Sequence, residues 1–478
     1  MKVRTRFAPS PTGFMHLGGM RTALYCYLYA KKNGGDFILR IEDTDQERFV
    51  EGAIEVIYSS LKEGGMDYDE GPDKGGNYGP YIQSQRKEIY QEYAKKLVEL
   101  GGAYYCFCTK DRIESLRDEN GNVRYDKHCL HLSKEEIEEN LKNGVPYVIR
   151  QNIPKEGVGT YEDGVYGHIA VDYSELEDGV LIKSDGLPTY NFANVVDDHL
   201  MGITHVIRGQ EYLSSTPKYN LMYDAFGWER PTYIHLPPIM KDATRKLSKR
   251  YGDANFDDFI SKGYLAEAII NYIALLGWCP KDNSEKMTMQ EMIDKFSLDG
   301  VSKSPAIFDD VKLRWLNSEY LKAMDDETFY QISEPFRKKS KTYGKYDGRL
   351  IAALLRTRIE IMNEIPEKID FLEEFGEYDL ELFCHKKMKT DKELAKVVLP
   401  MIYDTLAALP EFSNQAIHDS LMNLAAEKQL KNGQILWPTM VAITGQSVTP
   451  GGAVYMAEIL GKERTLERLK FSMELLNK

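Results

Sequence analysis

The sequence has no long hydrophobic run. None of its 478 residues lies in a stretch of roughly 18 consecutive apolar side chains, the length that a membrane-spanning helix needs. The opening residues, MKVRTR, are mostly basic or polar and lack the apolar centre of a secretory signal peptide. We therefore expect a cytoplasmic protein with no membrane partner.

Repeats, heptad patterns and low-complexity tracts are also missing, which excludes solenoids and long coiled coils. The chain has no GxxxxGK[ST] motif, which excludes an ordinary P-loop ATPase. Hydrophobic residues make up 42% and charged residues 28% of the chain, a balance typical of globular proteins. At this length we expect about three domains.

Cysteine is scarce. Six cysteines in a long chain without a signal peptide do not indicate a disulfide framework. Four soft donors stand out by their spacing, because Cys106 and Cys108 form a CxC pair and Cys129 and His131 form a CxH pair. Thiolates and imidazole together suit tetrahedral zinc, and free intracellular cysteines are the alternative.

The chain also lacks an excess of positive charge. Its formal net charge of −13 weighs against a nucleic-acid partner, because such proteins usually present a basic surface. Net charge averages over all faces, however, and the runs at 337–349 (RKKSKTYGKYDGR) and 385–392 (HKKMKTDK) are locally basic. These runs are either solvated loops or a basic contact surface.

The first forty-five residues carry the clearest pattern. Residues 2–8 read as a strand, prolines and a glycine at 9–13 break it, and a helical pattern begins after His16. A second apolar strand at 37–41 runs into the acidic residues at 42–45. Such a unit is a right-handed parallel crossover, which brings both strand ends to one edge of a sheet, where ligands bind. It predicts a nucleotide site at a helix N-terminus, with an imidazole in place of the P-loop lysine.

The α/β pattern is interrupted and then resumes. Short apolar runs among glycines predict a mixed α/β insertion, after which strands at 180–183 and 204–207 alternate with helices. From about residue 256 onward the pattern is helical. We predict a Rossmann-type parallel sheet from 1–102 and 186–240, an insertion at 103–185, a segment at 241–324, and an all-helical domain at 325–478.

A cationic tract follows the predicted sheet. KDATRKLSKR at 241–250 contains five basic residues in ten. Such a loop either closes over a polyphosphate, with Lys246 and Lys249 as point charges and Ser248 as a donor, or is a solvated surface loop.

Three of these stretches resemble a known family. PSPTGFMHLG at 9–18, RIEDTD at 40–45 and KLSKR at 246–250 are similar to the signatures of class I aminoacyl-tRNA synthetases, in the form of the bacterial glutamyl-tRNA synthetases. The resemblance spans nearly the whole chain. It implies that the insertion at 103–185 binds the acceptor stem, that 241–324 is a stem-contact domain carrying the KLSKR loop, and that 325–478 binds the anticodon.

The resemblance also implies an activity and its residues. The implied reaction is the ligation of L-glutamate to tRNA(Glu) by a monomer, using ATP with Mg²⁺, through glutamyl-adenylate. The implied catalytic residues are His16, Lys246 and Lys249. The implied glutamate contacts are Arg6, Ala8, Ser10, Glu42, Tyr190, Asn194 and Arg208. The implied ATP contacts are His16, Gly18, Glu211, Tyr212, Lys246, Leu247, Ser248 and Lys249. For zinc, the implied ligands are Cys106, Cys108, Cys129 and His131, with Tyr125 as a rival fourth ligand.

Several alternatives stay open at this point. A glutaminyl-tRNA synthetase usually carries PEPNG where this chain has PSPTG at 9–13. An enzyme that also charges tRNA(Gln) would differ in a few anticodon contacts that the sequence does not locate. A truncated relative that glutamylates a tRNA base would lack the helical domain, and a noncatalytic tRNA-binding paralogue would have lost a signature residue.

Overall fold

The computed structural model describes residues 2–119, 121, 123–247 and 255–478. The chain forms two compact units. The first contains Met1–Ile260 and Ala266–Asp310, and the second contains Ser261–Leu265 and Val311–Lys478. Within the described part of the chain, no helix combines the length and the apolar composition that crossing a bilayer requires.

The first unit is built around β-sheets. Its strands are β1 (Arg4–Phe7), β2 (Asp36–Leu39), β3 (Ala103–Cys106), β4 (Val148–Gln151), β5 (Val158–Asp163), β6 (Gly167–Asp172), β7 (Val180–Ile182), β8 (His205–Gly209), β9 (Thr232–Leu236), β10 (Ile239–Met240) and β11 (Ala306–Ile307). The main sheet has the order β2-β1-β8-β9-β5-β6. All its pairs are parallel except β5 with β6, which is antiparallel at the sheet edge.

Helices cover this sheet, as parallel crossovers require. The helices of this unit are α1 (Leu17–Lys32), α2 (Ala53–Glu63), α3 (Lys87–Glu99), α4 (Lys110–Glu114), α5 (Lys134–Lys142), α6 (Tyr190–Leu200), α7 (Thr216–Phe226), α8 (Phe256–Ser261, whose last residue belongs to the second unit), α9 (Ala266–Leu275) and α10 (Met289–Lys295). Helix α1 buries Leu17, Met20, Leu24 and Leu28 at helical spacing, and it connects the parallel strands β1 and β2. The predicted crossover at the start of the chain is confirmed.

The predicted insertion is divided between two sheets. Strands β5 and β6 fall within 103–185 but join the main sheet, where Asp163 at the end of β5 pairs with Tyr233 of β9. Strand β7 instead pairs antiparallel with β4 in a separate three-stranded sheet, β3-β4-β7. Strand periodicity identifies a strand but not the sheet that it joins, because pairing partners are distant in sequence. The predicted domain boundaries, including those of the insertion, stay predictions.

The second unit contains helices and, among its described residues, no strand. Its helices are α11 (Asp310–Ala323, whose first residue belongs to the first unit), α12 (Asp326–Ile332), α13 (Glu334–Arg337), α14 (Gly348–Arg356), α15 (Ile365–Ile369), α16 (Lys392–Ala407), α17 (Asn414–Glu427), α18 (Asn432–Thr444) and α19 (Gly452–Leu476). Amphipathic spacing explains these helices, since α16 buries Ala395, Val398, Leu399, Ile402 and Leu406 on one face. The predicted fold, a parallel α/β sheet followed by an all-helical region, is confirmed.

The basic run at 337–349 is largely paired with carboxylates. Its ion pairs are Lys338 with Glu334, Lys341 with Glu374, Lys345 with Glu373 and Arg349 with Glu327. Exposed pairs of this kind contribute little to stability. The run therefore fits a solvated, charge-balanced surface.

Candidate functional site

A cavity of about 970 Å³ opens where β1, β8 and β9 end. Its walls bring together most of the residues that the sequence singled out, namely Arg6, Ala8, Ser10, His16, Gly18, Glu42, Tyr190, Arg208, Glu211, Tyr212, Lys246 and Leu247. Asn194 is buried but does not line the cavity, and its Nδ2 donates to the Tyr190 carbonyl at 2.6 Å. Ser248 and Lys249 lie outside the described residues.

His16 caps the helix that begins at the cavity wall. Its Nδ1 accepts a hydrogen bond from the Gly18 backbone N–H at 3.0 Å. A neutral ring that accepts at Nδ1 carries its proton at Nε2, so Nε2 is a hydrogen-bond donor. A Cβ at Gly18 would lie 3.3 Å from Nδ1, which explains why glycine suits this position. The helix N-terminus adds its own positive partial charge.

The described residues on either side of segment 248–254 lie at this site. On one side, Leu247 N–H donates to the Ile239 carbonyl at 3.1 Å, and Lys246 bridges to Met240. On the other side, Asn255 forms a bridge with His16. Lys246, the first residue of the KLSKR tract, therefore lines the same cavity as His16.

Opposite charges form a buried network beneath the cavity. Asp198 of α6 accepts from Arg6 Nε at 3.0 Å and from Arg40 Nη1 at 2.7 Å. Arg40, fully buried, also donates from Nη2 to Glu42 Oε1 at 2.9 Å. Burial works to raise the pKa of Asp198, but the two guanidinium groups outweigh it and leave that pKa lowered. Burial dominates at Glu42 and raises its pKa, although Arg40 and Arg6 oppose this.

The neighbouring residue on α6, Asp197, accepts hydrogen bonds from a different set of donors. Asp197 Oδ1 accepts from Arg86 Nε at 2.8 Å, and Oδ2 accepts from Tyr90 Oη at 2.7 Å and Gln83 Nε2 at 2.9 Å. In this cluster three guanidinium groups, those of Arg6, Arg40 and Arg86, face three carboxylates, those of Glu42, Asp197 and Asp198. Paired and hydrogen-bonded in this way, the charges tolerate burial.

Arg208 is buried without such compensation. Among the residues that the structure describes, no carboxylate forms an ion pair with it. Its Nε donates to His235 Nε2 at 3.1 Å and its Nη2 donates to Thr216 Oγ1 at 2.9 Å. The ring centroids of Tyr212, Tyr219 and Tyr233 lie 4.8, 4.9 and 5.5 Å from the guanidinium carbon. A buried cation that lines a cavity and donates its described hydrogen bonds to neutral groups is suited to bind an anionic ligand.

The cysteine cluster lies elsewhere in the first unit. The sulfur atoms of Cys106, Cys108 and Cys129 all lie within 4.8 Å of one another. Tyr125 Oη is 3.3 Å from Cys106 Sγ and 3.5 Å from Cys108 Sγ. His131 is exposed and does not belong to this group. The geometry thus favours Tyr125 over His131 as the fourth donor beside the three sulfurs.

Comparisons with known proteins agree over nearly the whole chain. The model of the class I tRNA synthetase (E and Q) catalytic domain matches residues 2–315, and that of an anticodon binding domain matches residues 303–473. The chain is 57% identical to a glutamate–tRNA ligase of Clostridium tetani over 479 residues, covering 99% of this chain and 98% of the relative. The chain belongs to the glutamate–tRNA ligase family. A glutamate–tRNA ligase of Clostridium botulinum strain Eklund 17B is 56% identical over 482 residues, covering 99% of each chain.

Solved structures of the glutamate–tRNA ligase family show the same fold. A crystal structure of a glutamate tRNA ligase from Elizabethkingia meningosepticum, in complex with its amino acid, matches with a TM-score of 0.89 and 36% identity over 100% of both chains. A glutamate–tRNA synthetase structure from Elizabethkingia anophelis matches equally well, with a TM-score of 0.89 and 36% identity over 99% of this chain and 100% of the other.

In this member of the glutamate–tRNA ligase family, sequence reasoning missed the buried residues that hydrogen-bond to the arginines of the cavity. Asp163 and His235 are bonded to one another and lie behind Arg208, while Asp198 lies behind Arg6. A lone histidine inside an apolar strand was a signal for His235, because an unpaired polar side chain is costly there. Nothing in the local sequence indicates which partners Asp163 and Asp198 find.

Proposed function

We propose that the protein ligates L-glutamate to tRNA(Glu). In the first step a glutamate carboxylate oxygen attacks the α-phosphorus of ATP, which forms glutamyl-adenylate and releases pyrophosphate. In the second step a ribose hydroxyl of the terminal adenosine of tRNA attacks the activated carbonyl, loses its proton and releases AMP. The observation that carries the proposal is the uncompensated Arg208 guanidinium, which lines the same cavity as Glu42 and His16.

The cavity contains a cation, Arg208, and an anion, Glu42, which suit the side-chain carboxylate and the ammonium group of glutamate. We assign the side-chain carboxylate to Arg208, because Arg6 is already paired with Asp198. Glu42 accepts the substrate ammonium, with Tyr190, Ala8 and Ser10 beside it and Asn194 supporting Tyr190. Glutamine would leave Arg208 facing a neutral amide, and a buried charge without a counter-charge is strongly disfavoured.

The helix start and the KLSKR tract suit the triphosphate. His16 offers Nε2–H and the N-terminus of α1 offers backbone N–H groups, while Lys246, with Lys249 and Ser248 from the undescribed segment, adds cationic and hydroxyl donors. Gly18, Leu247, Glu211 and Tyr212 complete the proposed nucleotide contacts. Mg²⁺ bound with the nucleotide would neutralise part of the phosphate charge.

The domain roles are proposed on the same basis. The anticodon binding domain model supports anticodon recognition by the helical region, and we propose acceptor-stem binding for 103–185 and stem contact for 241–324. Such an enzyme acts on tRNA in the cytoplasm, and one chain holds every proposed site residue, so we propose a monomer.

Pyrophosphate exchange tests the activity directly. Purified protein with glutamate, ATP, Mg²⁺ and tRNA(Glu) is expected to exchange labelled pyrophosphate into ATP, and to attach labelled glutamate to tRNA(Glu). The same assay with glutamine is the control, and it is expected to give roughly 10⁴-fold lower kcat/KM. Binding of tRNA without exchange by folded protein would identify a noncatalytic paralogue instead. Charging of purified tRNA(Gln) with glutamate would identify an enzyme that serves both tRNAs.

We also propose that Cys106, Cys108 and Cys129 hold a structural Zn²⁺, with Tyr125 as the fourth ligand. Three sulfurs within 4.8 Å of one another, with a phenol oxygen 3.3 Å from Cys106 Sγ, can surround one zinc ion. Arg150 Nε donates to Cys106 Sγ at 3.3 Å, and its guanidinium lies over the Tyr125 ring at 4.3 Å, so that positive charge stands behind the anionic ligands.

Metal analysis of the purified protein checks this proposal. We expect about one zinc ion per chain, and its loss in Cys108→Ser because an alcohol is a poor zinc ligand. Cys279→Ser is the matched control, since Cys279 is an exposed free cysteine outside the cluster. Wild-type protein purified without chelator that holds no zinc would refute the site. His131→Ala is expected to retain zinc, whereas Tyr125→Phe is expected to weaken its binding.

A further inference from the structure

Three buried side chains on adjacent strands form a continuous chain of hydrogen bonds that ends at the cavity. Asp163 ends β5, His235 lies on β9 and Arg208 lies on β8, where it is the register partner of His235. Asp163 Oδ2 is 2.6 Å from His235 Nδ1, and His235 Nε2 is 3.1 Å from Arg208 Nε. The side chains of Asp163 and His235 are completely buried.

Each bond in this chain has a defined direction. Asp163 Oδ1 accepts from the backbone N–H groups of Val165 and Tyr166, both at 2.9 Å, and Oδ2 accepts from that of His235 at 3.2 Å. A carboxylate held by three N–H donors is an acceptor, so His235 Nδ1 carries the proton and donates to it. Nε2 is then the lone-pair nitrogen that accepts from Arg208 Nε–H. Burial lowers the pKa of His235, the bond to Asp163 raises it and Arg208 lowers it, and the net fall favours the neutral ring.

The opposite tautomer would disrupt the site. With the proton on Nε2, two N–H groups would face each other across 3.1 Å, and the guanidinium would lose one of its acceptors. Thr216 fixes the guanidinium at a second point, because its Oγ1 accepts from Arg208 Nη2 and donates to the Tyr212 carbonyl at 2.8 Å. The plane of Arg208 is therefore set by His235 and Thr216 together, before any ligand arrives.

We propose that Asp163 and His235 are positioning residues that orient Arg208 toward the side-chain carboxylate of the amino-acid substrate, and thereby determine specificity for an acidic amino acid. This inference rests on the proposed function, since it needs glutamate as the substrate. Neither residue lines the cavity, so both act through Arg208. The fixed tautomer holds the guanidinium in one orientation, from which N–H groups not bonded to His235 and Thr216 can donate to a substrate carboxylate.

The Asp163→Asn variant tests the direction of the first bond. The amide keeps the shape of the carboxylate but presents an NH₂ group to Nδ1, which forces the proton to Nε2 and against Arg208. We expect the KM for glutamate in pyrophosphate exchange to rise roughly tenfold to a hundredfold, with the KM for ATP unchanged. The preference for glutamate over glutamine is expected to shrink by a similar factor.

Two variants of His235 separate positioning from packing. His235→Gln reaches the position of Nε2 and keeps an acceptor for Arg208, whereas His235→Asn reaches only the position of Nδ1 and leaves Arg208 Nε without one. Glutamine should therefore restore most of the affinity for glutamate that asparagine loses. His205→Gln, on β8 like Arg208 but outside the cavity lining, is the matched control and is expected to behave as wild type.

The outcomes are distinguishable. Equal KM values for glutamate in Asp163→Asn and wild type, or equal effects of the two His235 variants, would overturn the positioning role. A parallel rise of both the glutamate and ATP KM values would also overturn it, because it would show a general structural defect. If Asp163→Asn fails to fold, the His235 pair decides. Wild-type protein that does not activate glutamate would instead refute the proposed function itself.

Discussion

An Arg208→Gln variant is expected to lose about a hundredfold or more in kcat/KM for glutamate, while its KM for ATP stays within about twofold of wild type. Arg208 is a buried cation in the cavity that lacks a carboxylate partner among the described residues, and in the proposed function the substrate supplies that partner. Arg21, a second buried guanidinium in the cavity lining, instead donates to the backbone carbonyls of Leu276 and Pro237. Removing the guanidinium leaves the substrate carboxylate desolvated and unpaired. Steady-state pyrophosphate exchange over a range of glutamate and ATP concentrations measures both values.

Two further substitutions sharpen this experiment. Arg230→Gln removes an exposed guanidinium of the same unit, paired with Asp224 at the surface, and is expected to change neither value. Arg208→Lys keeps the charge but cannot bond His235 and Thr216 in the same plane, so it should recover little activity. If Arg208→Gln retained the wild-type KM for glutamate, another group would have to bind the side chain.

An Asp198→Ala variant is expected to lose about 3–5 kcal/mol of unfolding free energy. Asp198 joins Arg6 and Arg40, and its side chain is only 3% exposed. Without it, two buried guanidinium groups remain close together, and Arg6 loses its carboxylate while Arg40 keeps only Glu42 and a distant Asp197. Urea unfolding followed by circular dichroism measures the change as a lower midpoint.

The matched control for this variant is Asp224→Ala. Asp224 also pairs with an arginine, but the two side chains are 47% and 41% exposed, so we expect a loss of no more than about 1 kcal/mol. Similar losses in the two variants would mean that burial adds nothing to the Asp198 pair. Asp198→Asn distinguishes charge from hydrogen bonding, because it keeps an acceptor oxygen while removing the negative charge.

Local sequence patterns predicted much of the fold. The breaker residues after β1, the spacing of apolar residues in α1 and the acidic cluster after β2 sufficed for the first crossover. The helical region was predicted by spacing alone. Local patterns did not predict that β5 joins the main sheet while β7 leaves it, since each choice depends on contacts with strands far along the chain.

The residues of the candidate site also fall into two groups, those that the sequence predicted and those that it did not. Residues on signature motifs, such as His16 and Glu42, could be named from the sequence, and the structure brings them to one cavity. Asp198 could not be predicted, because it lies 192 positions from Arg6 and an Asp-Asp pair in a helix usually indicates a solvated face. Tyr125 shows the same limit, since spacing favoured the histidine of the CxH pair but folding brings the phenol to the sulfurs.

The charge-balanced cluster under the cavity affects which amino acid can bind, because the net charge of the bound amino acid must then balance Arg208. Three positive and three negative side chains cancel there, and Arg208 stands outside that balance. A free amino acid with an acidic side chain carries one net negative charge and so balances the charge of Arg208, whereas an amide-bearing one leaves that charge unbalanced. Aspartate satisfies the same condition as glutamate, so charge balance does not separate the two, and a choice between them depends on reach, the single methylene by which the two side chains differ.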